Sequence, residues 1–163
     1  MNTGSTYELQ LDDAAATEAL AWRLADSQPR DGAVVHLHGD LGAGKSTLAR
    51  AWLRRLGVEG TVRSPTYTLV ERYPLASGGE ALHLDLYRIG DPGELEFLGL
   101  DEAGGALWLV EWPQRGAGAL PPADLAMHLA LAAQGRALRI EACSAKGREW
   151  VDRLRDGEVV TVS

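Results

Sequence analysis

Residues 33–46 read Ala33-Val34-Val35-His36-Leu37-His38, then Gly39-Asp40-Leu41-Gly42-Ala43-Gly44-Lys45-Ser46. The first six are an apolar run of strand length. The next eight fit G-x-x-x-x-G-K-[ST], the pattern of a phosphate-binding loop. An amphipathic helix follows from Lys45 to Leu56, with Leu48, Trp52, Leu53 and Leu56 on one side and Gly57 as its stop. Strand, glycine loop and helix together are the context in which this pattern has its chemical meaning. Gly42 and Gly44 allow backbone angles and close approaches that a side chain would block. Backbone N–H groups across Asp40–Thr47 can then form an anion nest at a helix N-terminus. Lys45 can reach the outer phosphates of a nucleotide, and the Ser46 hydroxyl can bind Mg²⁺.

Working outward, the rest of the chain supports an α/β layer fold. Tyr7–Leu11 alternates like a strand. Asp12 or Asp13 caps a helix to Ser27 with Ala16, Ala19, Leu20 and Leu24 at helical spacing. Arg63–Glu71 passes from loop to strand, Ala76–Glu80 is a turn, and Ala81–Leu86 is a second strand. Asp91-Pro92 opens a short helix, and Ala106–Val110 is a further buried strand. Residues 115–122 read as a flexible loop. Leu125–Ala132 and Arg136–Ala142 form a hairpin around Gln134-Gly135. Ser144 caps a last helix that Gly157 closes. Alternating strands and helices over the first two thirds predict a largely parallel sheet.

Composition narrows the function. The 163 residues make one domain, 1–163, and carry 16 basic and 23 acidic residues, a net charge of −7. Sequence-independent grip on nucleic acid rests on neutralising phosphates with Lys and Arg, so this balance argues against it. The single cysteine, Cys143, excludes an intrachain disulfide framework and a cysteine-rich zinc site, and reads as a small buried hydrophobe. No apolar run has the length of a membrane span, and the N-terminus has no secretory pattern, so a cytoplasmic protein without membrane contact is expected.

A phosphate-binding loop needs an acidic partner near the carboxyl end of a neighbouring strand. Asp85, near the end of the 81–86 strand, suits the metal. Glu111, directly after Val110, suits a group that orients or activates water. Either alone could be a solvated acid at a strand end. Thr66, in Ser64-Pro65-Thr66, could sense the γ-phosphate or sit in an ordinary turn. Trp112 could stack on a base, face a partner or pack in the core. His36, His38 and His83 read as core or edge histidines rather than metal ligands. Glu94, Glu96, Asp101 and Glu102 read as a solvated acidic face.

The loop fixes nucleotide binding and leaves the reaction open. Guanine selectivity through N-K-x-D is impossible, because the only asparagine is Asn2. A small-metabolite kinase remains an alternative. It is weakened by Ser64-Pro65-Thr66 where such kinases carry Asp, and by the single arginine, Arg115, in the 115–122 loop. A nucleotide-gated binding module without obligatory hydrolysis is another.

Five motifs occur in order. They are Gly39–Thr47, Ser64-Pro65-Thr66-Tyr67-Thr68-Leu69, His83-x-Asp85-x-Tyr87-Arg88, Asp91-Pro92-x-Glu94-Leu95-Glu96-x-Leu98-Gly99 and Glu111-Trp112-Pro113. The chain resembles the TsaE (YjeE) family, the ATPase subunits of bacterial tRNA threonylcarbamoyladenosine synthesis, over about Leu9 to Leu154. The resemblance implies a P-loop NTPase-type three-layer sandwich with a mixed sheet. It implies ATP or ADP with Mg²⁺ as ligands, and slow ATP hydrolysis when the subunit is alone. It implies TsaD and TsaB as partners, with tRNA met only through their complex. It places Lys45, Ser46 and Thr47 on phosphate and metal, Asp85 on metal, and Glu111 on hydrolysis and metal. Trp112 falls near the nucleotide and partner, and Thr66 in a switch-like segment. Ser46 stands where family members often have Thr, and either hydroxyl can bind Mg²⁺.

Overall fold

The computed structural model describes residues 6–65, 68–100 and 105–162, the last five by backbone alone. Seven strands form one sheet: β1 (Thr6–Leu11), β2 (Ala33–His38), β3 (Val70–Pro74), β4 (Glu80–Asp85), β5 (Leu107–Glu111), β6 (Leu125–Leu131) and β7 (Arg136–Ala142). Among the described residues three α-helices accompany them: α1 (Ala14–Ser27), α2 (Lys45–Arg55) and α3 (Ala145–Val162). The strand order is β1-β7-β6-β2-β5-β4-β3. The central strands β6, β2, β5 and β4 are parallel, and β3, β7 and β1 add antiparallel at the flanks. This is the mixed, largely parallel α/β sandwich that the sequence predicts.

Period-two alternation divides the core between the two faces of the sheet. Val35, Leu37, Leu107, Leu109, Met127 and Ile140 face the helices, where Trp52 of α2 meets Trp150 of α3 edge to face at 5.8 Å. Both indole N–H groups are satisfied, by Gln28 Oε1 at 2.7 Å and Ser27 Oγ at 3.1 Å. Leu82, Leu84, Trp108 and Val110 face the other way, under a layer of 3₁₀ turns and connecting chain that contributes Ile89 and Leu95. His83, Asp85 and Glu111 have the parity of the helix-facing residues. That parity, with β4 and β5 adjacent, brings all three to the side from which α2 approaches.

Local expectations were corrected in four places. In α1, Leu20 and Leu24 are buried and Ala16 is half-buried against the core, as read; Thr17, Ala21 and Ala25 join them, and Ala19 is exposed. Gly157 does not end α3, which continues to Val162; a side chain there would meet open space, so nothing demands a turn. Part of residues 115–122 is folded: a 3₁₀ turn, Pro113–Gly116, seats Gly116 against Leu86, and Leu120 packs on the second core. Cys143 is exposed. Glu94 and Glu96 are exposed, as a solvated face requires, and Glu94 also closes a capping box, its Oε2 accepting from the N–H groups of Gly90 and Asp91 at 3.0 Å. Asp101 and Glu102 lie outside the described residues.

His36 and His38 do share a sheet face, and the His38 ring stacks on His128 at 4.7 Å. Among the described residues, no group of three or more His, Cys, Asp or Glu is placed to hold a metal, and no helix is long and apolar enough to cross a membrane. Burial, then the neighbouring His128 and His36, lower the His38 pKa from 6.5 to about 4. The folded state therefore refuses a proton that the unfolded chain accepts. Stability is expected to fall as pH drops from about 6.5 toward about 4. Urea midpoints at pH 7 and pH 5 check this: His38→Asn should lose less than the parent, and an equal loss would remove His38 from the effect.

Candidate functional site

The loop after β2 delivers α2 through Gly44, whose φ of +108° is a conformation that L side chains rarely adopt. The first intrahelical bond made from a helical residue is Leu48 N–H to Gly44 O at 3.0 Å. The amides of Lys45, Ser46 and Thr47 therefore sit in the unsatisfied first turn and point out of the helix N-terminus. Ala43 N–H turns back onto Asp40 O at 3.1 Å, and the Ala43 side chain is buried. Leu41 is exposed at the loop's tip.

Lys45 is buried, and its ammonium donates to the backbone carbonyls of Gly39 and, at 3.1 Å, Asp40. It also stands 4.5 Å from the centre of the Trp112 ring, a cation–π contact. Burial pushes the Lys45 pKa down, against the opposing charges of Glu111, Asp85 and Asp40.

Asp85 and Glu111 end adjacent parallel strands and are register partners. Glu111 is only 3% exposed. The Ser46 hydroxyl lies 3.0 Å from both of its carboxylate oxygens. His83 Nε2 lies 2.6 Å from Glu111 Oε2. Asp85 Oδ1 accepts from Tyr87 N–H at 3.0 Å, which fixes the chain where it leaves β4.

Lys45, Ser46, Asp85 and Glu111 line a cleft of about 390 Å³ at the C-terminal ends of the parallel strands, with Gly42, Gly44, Thr47 and Trp112 also in its wall, and His83 lies buried behind Glu111. Ligands bind at this end of open α/β sheets. A larger cavity, about 510 Å³, lies near the start of β2 and β5, beside Asp31, Gly32, Trp108 and Lys146. Its polar groups are already engaged: Lys146 pairs with Asp31 at 3.2 Å and bonds Gly32 O at 2.8 Å, and Asp124 accepts from Val34 N–H at 2.8 Å and the Ser144 hydroxyl at 2.7 Å. The smaller cleft holds the chemistry.

Trp112 is half-buried: it packs against the edge of the second core and also lines the cleft. Its φ of +57° is unusual for a large side chain, a conformation costing about 1–3 kcal/mol that concentrates at functional sites. It turns the indole between Lys45 and Tyr87, whose ring centre is 4.9 Å away, and Arg115 covers Tyr87 at 5.3 Å. Thr66 lies outside the described residues.

Two further side chains belong to this site. His83, read from sequence as one more core histidine, is bonded to Glu111. Arg136, at the start of β7, donates from Nε to Ala43 O at 3.0 Å and from Nη2 to Gly42 O at 3.2 Å. It occupies the loop's Gly42 and Ala43 carbonyls from the wall of the same cleft. Gly135 makes that placement possible, since a Cβ there would come 2.0 Å from Leu11 O. Arg136→Gln is expected to weaken nucleotide binding by about tenfold, the worth of one lost charge-assisted bond. Titration with a fluorescent ADP analogue checks it, and unchanged affinity would show that the loop holds its shape unaided.

Comparison with known proteins follows the same lines. A family model described as "Threonylcarbamoyl adenosine biosynthesis protein TsaE" matches residues 11–139. A protein of Haemophilus influenzae named "tRNA threonylcarbamoyladenosine biosynthesis protein TsaE" is 49% identical over 98 residues, 59% of this chain and 61% of that one. A protein of the same name from Synechocystis is 41% identical over 123 residues, 71% of this chain and 74% of that one. The matched part thus spans about three fifths of the Haemophilus protein's length. The crystal structure of Bacillus subtilis YdiB has a TM-score of 0.76 at 25% identity, covering 94% of this chain and 96% of that one. With the family model matching residues 11–139, most of its length, the chain belongs to the TsaE family.

Proposed function

We propose that this chain binds ATP with Mg²⁺ in the cleft at Lys45 and hydrolyses it as the ATPase subunit of tRNA threonylcarbamoyladenosine synthesis in the cytoplasm. Turnover would cycle a TsaD–TsaB complex that carries out the transfer, and tRNA would be met only through that complex. The observation that carries this reading is convergence: Lys45, Ser46, Asp85 and Glu111 come from three elements and meet in one cleft.

The donor set fits Mg²⁺. Two carboxylates and one hydroxyl supply hard oxygen ligands, few enough that nucleotide phosphates and waters complete the shell. Ser46, Asp85 and Glu111 would hold the ion, and the ion when bound supplies charge neutralisation on the phosphates. The amides at residues 44–47 bind the phosphate oxygens, and Asp40–Ala43 wrap them from outside. Lys45 leaves its carbonyl partners for the outer phosphates, uncovering Trp112 for contact with nucleotide or partner. Glu111 orients water for attack on the γ-phosphate. Rate then comes from positioning and electrostatics, with little covalent work for the protein. Thr66 is proposed as the switch residue that senses the γ-phosphate.

The test is ATP hydrolysis by the chain alone and with purified TsaD and TsaB, alongside modified nucleoside formed on tRNA. Slow turnover that the partners stimulate, with modification dependent on it, is the expected result. Modification sustained over many rounds by a non-hydrolysable analogue would instead favour the binding-module reading.

A further inference from the structure

We propose that His83 is the positioning residue of Glu111, fixing the carboxylate in the orientation that hydrolysis needs. The proposal rests on the reading of Glu111 as the residue that orients water. His83 is 0% exposed and Glu111 3% exposed, so the 2.6 Å contact between them is shielded from water. Strand register builds the contact: His83 stands opposite Leu109, one row below the Asp85–Glu111 pair and on the same face.

Hydrogen-bond roles follow from the chemistry of the partners. A carboxylate is an acceptor, so Nε2 carries the proton and donates to Oε2. His83 Nδ1 makes no hydrogen bond with the described residues, which leaves the Glu111 contact as the ring's one anchor there. A buried nitrogen without a partner is a net cost to the fold. An aliphatic side chain would avoid that cost, so packing alone is a poor account of a histidine here.

The second donor to Glu111 is Ser46, and its hydroxyl is also wanted for metal and phosphate. When Ser46 turns to them, a buried Glu111 without His83 would lose its remaining donor and swing. With Oε2 held by Nε2–H, the carboxylate stays in place and Oε1 is left for water. His83 touches neither nucleotide nor water in this scheme, so it acts through Glu111.

The experiment compares His83→Leu, His83→Gln and Glu111→Gln in the full chain, assayed with TsaD and TsaB, with ADP affinity measured separately. His83→Leu is expected to lower kcat by about 10- to 100-fold, the size of effect that small misplacements produce. ADP affinity should stay within about threefold, and His83→Gln, whose amide can donate near the Nε2 position, should recover most of the rate. Parental kcat in His83→Leu, a matching loss of ADP affinity, or no recovery in a folded His83→Gln would each overturn the proposal. If Glu111→Gln itself keeps turning over, the reading of Glu111 fails and takes the positioning role with it. An inactive Glu111→Gln beside a fully active His83→Leu overturns the positioning role alone. Nitrogen-15 NMR of the histidine-labelled parent gives a readout independent of activity and of any variant of His83. It should show His83 protonated at Nε2, with a signal that moves in Glu111→Gln; the Nδ1–H form would overturn the proposal.

Discussion

Glu111→Gln should stop ATP turnover while leaving nucleotide binding nearly intact. The expected loss in kcat is about 10²–10³-fold, within the range for removing a positioned acid–base group. The substitution keeps volume and shape, so the effect is chemical. An amide at this position offers one acceptor oxygen where the carboxylate offers two. The Ser46 hydroxyl now lies 3.0 Å from both oxygens, and His83 Nε2 lies 2.6 Å from one of them. The amide can keep its one oxygen on His83 Nε2–H only by turning its N–H to Ser46, whose hydroxyl must then accept where it now donates. It also removes a negative charge that helps hold Lys45 protonated. Binding should largely survive, because the loop amides, Lys45 and the other two proposed metal ligands, Ser46 and Asp85, lie on other elements and the amide keeps one oxygen for the ion. Single-turnover hydrolysis alongside ADP titration separates the two properties. A variant that hydrolyses at the parental rate would pass the water-orienting role to Asp85, the other acid of the row. A variant that loses affinity and rate together would mean that Glu111 serves binding.

How much of this was legible in advance differs from residue to residue, for physical reasons. The strand Ala33–His38 was readable to the residue, because an apolar run stopped by a glycine loop leaves little freedom. The loop motif is local, so its chemistry was readable too. Asp85 and Glu111 were readable as acids near strand ends, but not as neighbours. Their adjacency depends on β4 pairing with β5, which are separated by more than twenty residues, and long-range register is not written locally. His83 was underweighted because a lone histidine in an apolar strand usually packs. The usable signal was its spacing of two from Asp85, which puts both on one sheet face. Arg136 was invisible for a different reason. It reaches the loop across 93 residues of chain, through a hairpin whose glycine fits only because Leu11 is close. In the stripe of α1 only Ala19 was misplaced: Ala16 packs half-buried against the core, and Thr17 joins it because two helices, rather than the sheet alone, cover this face. The backbone of Trp112 could not be foreseen, since strain of that kind is imposed by the surrounding fold.

Lys45→Ala should weaken ATP and ADP binding by about 10²–10⁴-fold. The lysine would make about two charge-assisted bonds to phosphate oxygens, each worth about 1.5–3 kcal/mol, and 1.4 kcal/mol is about tenfold in affinity. Part of that worth is already committed in the free protein. The ammonium is tied to the carbonyls of Gly39 and Asp40 and to the Trp112 ring, and these contacts must be exchanged for phosphate. The exchange lowers net affinity, which places the expected loss below what the bare charge would give. It also provides an optical reporter, because moving a cation off an indole face changes that indole's emission. Nucleotide should therefore shift tryptophan fluorescence in the parent, and the shift should vanish in Trp112→Phe, which keeps the other tryptophans. In Lys45→Ala the shift should be small even at saturating nucleotide, since no cation remains to leave. Lys45→Arg is not a rescue. A planar fork is larger than the buried site that holds an ammonium between two carbonyls and a ring, and it presents its charge in a different direction. It should restore less than a tenth of the parental affinity. Parental affinity in Lys45→Ala would mean that the helix N-terminus and Arg136-braced loop hold the phosphates unaided, and that Lys45 is a structural plug for the loop's carbonyls.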